Sequence, residues 1–505
     1  MLFFQHALTA PTVPVHPKGN PVVNAKPGRV LSLLALTALL AAPVAGQPQT
    51  DGVASAAARQ RVQELAAAME SGSDEQIRSY IQSSFSESFL AAIPLDRHVE
   101  ILGGVARRHG GFEIAAFTEL SATGVGASAR SRKTGDWLRI VLEVELQPPY
   151  RIASIGIGPG GPPVELPSGE ITDERMAESL QSLVEQAAGA ERFSGAVLLA
   201  HGEQVLFKGA YGLACRRFNV PNRIDTRFNL GSMNKMFTAV AIAQLVEQGR
   251  LSLDDPLSRH LQGWLPQEVA DRIRIRHLLN HTSGLGSYFN ERFMNSSRLL
   301  FREVKDYMPL VEGETPAFEP GTRWQYSNTG FLLLGAVIES VTGASYFDYI
   351  REHVYKPAGM EASDSYEMDI PVPNLASGYF RDEQGVVREN TLMHVVKGGP
   401  AGGGYSTVED LHRFALALEQ GKLLSRRMTE VLTTAKPEEN SPEYGYGFQV
   451  DGDPETFGHG GGFPGIAARL SIYRKDGYIL AVLSNYGAGA QEIASHVRAL
   501  IRARR

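Results

Sequence analysis

Ser232 and Lys235 stand three residues apart in Ser232-Met233-Asn234-Lys235, at the head of a run from Met236 to Gln248 whose pattern predicts a helix. A serine at a helix start meets unpaired backbone N–H groups and the positive end of the helix dipole, both of which favour a developing oxyanion. A lysine one turn further lies on the same face, where its amine can reach the serine hydroxyl. Held in a partly dry site, that amine can lose its proton and act as a base. The chemistry such a pair performs is attack by serine on a carbonyl carbon. The competing reading is an ordinary helix start, with Ser232 as N-cap and Lys235 in solvent.

Two further stretches bear on that choice. Tyr326-Ser327-Asn328 follows Pro320-Gly321-Thr322-Arg323-Trp324-Gln325 and precedes Thr329-Gly330 and an apolar helix from Phe331. It offers a phenol to relay the serine proton to a leaving group and an amide to hold a substrate carbonyl. Tyr288-Phe289-Asn290 has the same form, but in a polar loop with no following helix, and reads as a pocket edge. Gly458-His459-Gly460-Gly461-Gly462 stands immediately before the penultimate strand. Glycines at a strand edge let a substrate backbone approach closely, and the Gly462 N–H could face that of Ser232 as an oxyanion hole.

The elements that must position these residues divide the chain. Residues 47–157 read as a small α+β domain, with a helix near Ser55 to Met69 and helical stretches through Ile77-Tyr80-Ile81 and from Asp96 to Arg107. Strand-like segments follow at Phe112–Phe117, Trp137–Glu145 and Tyr150–Ile157. Helices first and a meander afterwards resemble the cone-shaped nuclear-transport-factor-like fold. Residues 158–169, rich in Gly and Pro, read as a linker. The second domain spans 170–505: a helix from Thr172-Asp173, a hairpin of Gly195–Ala200 and Val205–Tyr211, a helical middle, a hairpin of Gly465–Tyr473 and Tyr478–Asn485, and a last helix over Ala490–Arg502. Strands at both ends and helices between predict one antiparallel sheet closed by bringing the domain's termini together.

Ser232-x-x-Lys235, Tyr326-x-Asn328 and the His459 glycine strand, in this order, resemble the serine β-lactamase and penicillin-recognising family, in its class C branch with D-peptidases, D-aminopeptidases and esterases. The resemblance covers about Met176 to Arg505. It extends to Phe228–Lys235, to Leu251-Ser252-Leu253-Asp254-Asp255-Pro256 and to His277–Leu285, which reads HLLNHTSGL. Ala401–Thr407 resembles the family's glycine-rich turn into a helix, capped by Ser406 or Thr407, and is read as structural. The resemblance implies a β-lactamase-like α+β fold, an antiparallel sheet flanked by helices with a helical subdomain. It implies Ser232 as nucleophile, Lys235 and Tyr326 sharing its proton, and Ser232 and Gly462 N–H groups as oxyanion hole. It further implies Asn328, His459, Gly460 and Gly461 in substrate binding. That chemistry requires no metal or organic cofactor.

Lys133-Thr134-Gly135 and His109-Gly110-Gly111 imitate the third motif, but both precede the serine and read as a hairpin turn and a helix exit. His459 is the departure from the pattern, because class C β-lactamases usually carry lysine there. A histidine, with a reference pKa of about 6.5, is mostly neutral at pH 7 and captures a substrate carboxylate less well. The expectation is therefore turnover of small esters, D-amino-acid peptides or cell-wall peptide, with weak β-lactamase activity at most. A non-catalytic envelope protein that binds cell-wall peptide or scaffolds partners is the competing class. Its site would have decayed, whereas Ser232, Lys235, Tyr326 and Asn328 are all present.

A formal net charge of −6 without a basic stripe argues against nucleic acid as a partner. The single cysteine, Cys215, excludes an intrachain disulfide and reads as a small buried residue at a strand end. Lys26 and Arg29 precede the apolar run VLSLLALTALLAAPVAG, and Val44-Ala45-Gly46 offers a cleavage site. Residues 1–46 thus read as a signal peptide and the protein as exported to the periplasm or beyond, touching membrane only through an uncleaved signal. The expected partner is a small-molecule or peptide substrate.

Overall fold

Alternation along the strands of the second domain buries both faces of its sheet, and this fixes where the site sits. The structure, a computed structural model, describes residues 51–504 apart from 71, 366, 383, 452–455 and 488. The signal segment expected over 1–46 lies outside the described residues.

The first helices are α1 (Asp51–Glu70), α2 (Asp74–Ser84), α3 (Glu87–Ala92) and α4 (Leu95–His109). They precede an antiparallel meander β1-β2-β3-β4, formed by Phe112–Glu119, Gly124–Ser131, Trp137–Val144 and Ile152–Pro159. Strand β2 was not expected, because its sequence GVGASARS carries one aliphatic side chain larger than alanine. Tertiary context overrides its weak propensity: Ala127 and Ala129 are buried, and such small side chains let α1 pack close. The Lys133-Thr134-Gly135 imitation lies in the turn between β2 and β3, where the Thr134 hydroxyl donates to Asp136. His109 ends α4 and Gly110 caps it in the left-handed conformation, at φ 64°.

In the second domain, α5 (Asp173–Gly189) begins on a Thr172 cap that accepts from the Arg175 N–H. Two hairpin strands follow, β5 (Gly195–His201) and β6 (Gln204–Tyr211). They join a six-stranded antiparallel sheet in the order Gln449–Val450, Thr456–Phe463, Ile466–Tyr473, Tyr478–Ser484, β5, β6. The domain's first and last strands therefore pair, as the sequence predicts. Val197 and Leu199 face a core shared with α5 and the C-terminal helix Ala490–Arg504. Ala196, Leu198 and Ala200 face the larger core under the helical middle.

Two helices run through that larger core. One is α6 (Asn234–Glu247), buried on nearly every side from Asn234 to Ala243. The other is Asn328–Thr342, apolar from Phe331 to Ile338 and ended by Gly343 at φ 74°. Helices apolar all round belong at the centre of a domain, so their N-terminal residues are held on rigid supports. Both N-termini carry motif residues.

Candidate active site

Gly231–Met233 forms a single tight turn that leads into α6, so Ser232 sits just outside the helix and does not cap it with its side chain. Gly231 takes φ 52°, and a Cβ there would stand 3.0 Å from the Gly462 N. Glycine at this position lets the Ser232 turn lie against the strand Thr456–Phe463. A Cβ on Gly461 would collide with the Leu230 carbonyl, which accounts for glycine on the strand side as well. Gly462 is exposed, with open space where its side chain would be.

Lys235, one turn on, is completely buried. Its Nζ donates to the Asn328 Oδ1 at 2.9 Å and to the Ala401 carbonyl at 2.6 Å. Burial holds the amine's pKa well below the usual lysine value. A neutral amine has two protons for these two acceptors and keeps its lone pair free to accept a proton from a donor. Spacing alone placed this amine against the serine hydroxyl. In the structure Nζ instead lies 4.8 Å from the centre of the Tyr326 ring, and the Tyr326 phenol lies near the Ser232 hydroxyl. Burial raises the Tyr326 pKa, and the nearby Ser232 hydroxyl offsets part of that rise.

Ser327 explains how Tyr326 and Asn328 come to flank the lysine. It is the N-cap of the helix Asn328–Thr342: its hydroxyl accepts from the Gly330 N–H at 2.8 Å and donates to the Gly286 carbonyl at 2.9 Å. Tyr326 thereby immediately precedes the cap, and Asn328 is the first residue within the helix. The Asn328 Nδ2 donates to the Ser287 hydroxyl at 3.1 Å, so the amide is held at both ends.

His459 is placed differently from the expectation. Its ring was read as a substrate contact, but it is 1% exposed, on the core side of the strand. Its Nδ1 donates to the Gly460 carbonyl at 2.6 Å, which leaves Nε2 as an acceptor for the Tyr444 hydroxyl at 2.8 Å. Burial pushes its pKa down to about 3. The ring is therefore neutral and turned away from any substrate carboxylate. Gly460 is fixed from the other edge, its N–H donating to the Gln449 Oε1 at 3.0 Å.

A buried lysine, a tyrosine near the serine hydroxyl and a glycine strand against the Ser232 turn thus meet in one place. The model of the family described as Beta-lactamase matches residues 180–503. The chain belongs to the beta-lactamase family. Among solved structures it resembles a penicillin binding protein from Bacillus halodurans, with a TM-score of 0.58 and 35% identity, over 64% of this chain and 98% of that one. It also resembles a D-stereospecific amidohydrolase from Streptomyces sp., with a TM-score of 0.54 and 29% identity, over 63% of this chain and 97% of that one. It is 36% identical to esterase EstB of Burkholderia gladioli over 203 residues, 37% of this chain and 50% of the esterase. The protein is a serine hydrolase of this family. The small domain lies before the matched residues.

Three contributors escaped the sequence reading. Ala401, in a stretch read as structural, supplies a carbonyl to Lys235, while Thr407 caps the following helix as expected. Tyr444 occupies the His459 ring and is fully buried beside His281. His281 sits in the HLLNHTSGL stretch that carried the family resemblance without a role of its own. Cys215 is half-buried at a short strand's end, more open than expected. Tyr288, of the rival Tyr-x-Asn, is buried in a cluster with Phe289, Phe293 and Tyr307.

Proposed function

We propose that the protein is an exported hydrolase that cleaves uncharged esters or amides through an acyl-enzyme on Ser232, with weak β-lactamase activity at most. The observation that carries this reading is the completely buried Lys235 beside the Tyr326 ring, whose phenol lies near the serine hydroxyl. Ser232 Oγ attacks the substrate carbonyl as its proton passes to the Tyr326–Lys235 pair. The Ser232 and Gly462 N–H groups receive the oxyanion. The same pair returns the proton to the leaving alcohol or amine as the carbonyl–heteroatom bond breaks. Water then attacks the acyl carbon, loses its proton to the pair, and Ser232 leaves with a proton restored.

Preference for an uncharged substrate rests on the strand beside the nucleophile. His459 is neutral and turned inward, and Arg469 opposite Gly460 spends its guanidinium on Gln449, Asp451 and Ser471. A β-lactam carboxylate finds neither as a free cation. An apolar edge is present instead: Phe289 and Phe463 approach to 6.2 Å between ring centres, one from the loop after Gly286 and one just beyond Gly462. Esterase and amidohydrolase relatives support the same substrate class. Export rests on the apolar run after Arg29.

The test is a fluorophosphonate label with p-nitrophenyl esters, D-alanyl peptides and nitrocefin, compared between wild type and Ser232→Ala. Serine-dependent labelling with ester turnover far above nitrocefin turnover is expected. Equal rates on nitrocefin would overturn the substrate reading, and loss of all serine-dependent labelling would overturn the enzymatic one. N-terminal sequencing of the secreted protein tests export; a start at Met1 would contradict cleavage.

A further inference from the structure

We propose that His281 is a positioning residue that fixes the Tyr326 phenol from both sides of its own backbone. The backbone N–H groups of the two residues on either side of Tyr326 both donate to this one residue. The Gln325 N–H donates to the His281 carbonyl at 2.8 Å, and the Ser327 N–H donates to the His281 Nδ1 at 3.1 Å. The imidazole then lies against the tyrosine, with ring centres 4.3 Å apart. Tyr326 is thus held by two hydrogen bonds and one face contact to a single side chain and its carbonyl.

The backbone of His281 is unusual in a way this role explains. Six non-glycine residues among those described have positive φ, and five of them are exposed or half-exposed; His281, at φ 65°, is fully buried. A left-handed conformation is costly for a residue with a Cβ and persists where the surroundings over-determine it. Here it brings the carbonyl and the ring of one residue to bear on the same short segment.

Its protonation tells the same story. Because the Ser327 N–H is a donor, Nδ1 carries the lone pair and the ring proton sits on Nε2. That nitrogen is buried without a hydrogen-bond partner. Burial holds the ring neutral, its pKa well below the usual histidine value. Phe331, Trp324 and Tyr444 enclose the remaining faces. A purely apolar ring would fill this space without an orphaned N–H, so the histidine is explained by what its Nδ1 accepts.

This inference rests on the reading of Tyr326 as proton relay, and the experiment separates the two. Wild type, Tyr326→Phe, His281→Phe, His281→Asn and His281→Gly are compared on a p-nitrophenyl ester and on an ethyl ester of the same acid. His281→Phe keeps a ring but loses the acceptor. His281→Asn offers an amide oxygen to the Ser327 N–H and tolerates positive φ. His281→Gly fits the backbone and supplies neither.

The expected result is a fall in kcat of about 30-fold for His281→Phe on the p-nitrophenyl ester, with KM within about 3-fold. On the ethyl ester, whose alkoxide leaves only with a proton, the fall should be several times larger. His281→Asn should recover most of the loss and His281→Gly should not. Wild-type kcat for a folded His281→Phe overturns the proposal, and so does an equal loss on both esters. If His281→Phe does not fold, the Asn and Gly variants decide, and equal activity of those two overturns it. Wild-type activity in Tyr326→Phe would sink the relay reading and this inference with it. An impaired Tyr326→Phe beside an unimpaired His281→Phe would sink this inference alone.

Discussion

Tyr326-Ser327-Asn328 and Tyr288-Phe289-Asn290 share a Tyr-x-Asn form, and their fates differ because the helix cap falls on different residues. In the first, the middle residue Ser327 caps a fifteen-residue helix, which frees Asn328 to hold Lys235 and leaves Tyr326 beside Lys235 and near the serine. In the second, Asn290 is itself the cap of the short helix Glu291–Asn295, accepting from the Phe293 N–H while its Nδ2 donates to the Leu310 carbonyl. Its amide is spent on backbone, and Tyr288 is sealed among aromatic rings. A motif of this kind is therefore defined as much by which residue caps the helix as by the letters that match.

Substitutions can break or sharpen that comparison. The largest effect belongs to the groups both tyrosines would have to serve: Ser232→Ala should lower kcat by about 10,000-fold, and Lys235→Ala by about 1,000-fold. Next come the tyrosines. Tyr326→Phe should cost about 100-fold or more in kcat, and Tyr288→Phe less than about 3-fold. The asparagines should divide by readout. Asn328→Ala lowers kcat/KM by about 10-fold or more, because it unpairs the lysine, whereas Asn290→Ala leaves turnover intact and costs about 1 kcal/mol of stability in a denaturant titration.

The pH profile gives a smaller but signed effect. A lysine whose pKa is depressed by burial is neutral and competent above that pKa, so kcat/KM should fall as pH drops through it. His459, held neutral down to about pH 3, does not contribute to that acid limb. His459→Gln should leave the limb where it is, and a shift of the midpoint by a full pH unit would contradict the assignment.

Order of the motifs, the two hairpins and the helical middle were legible because each rests on local spacing and periodicity. Strand β2 was not, since a run of Gly, Ala and Ser has no β signature until α1 covers it. The site was legible as far as Ser232, Lys235, Tyr326 and Asn328. What side chains do at a distance was not. Ala401 acts through its carbonyl, which any residue would supply, and His281 through a left-handed backbone that its sequence does not announce. His459 illustrates the limit of spacing: alternation along a strand tells which residues share a face, but the ring's inward turn depends on Tyr444, fifteen positions earlier.

The most direct test is the pre-steady-state release of p-nitrophenolate in Tyr326→Phe and Tyr288→Phe, with acylated Ser232 confirmed by intact mass. The burst rate should fall by about 100-fold or more in the first and stay within about 3-fold of wild type in the second. Equal burst rates in the two variants would contradict the assignment of Tyr326 to the serine.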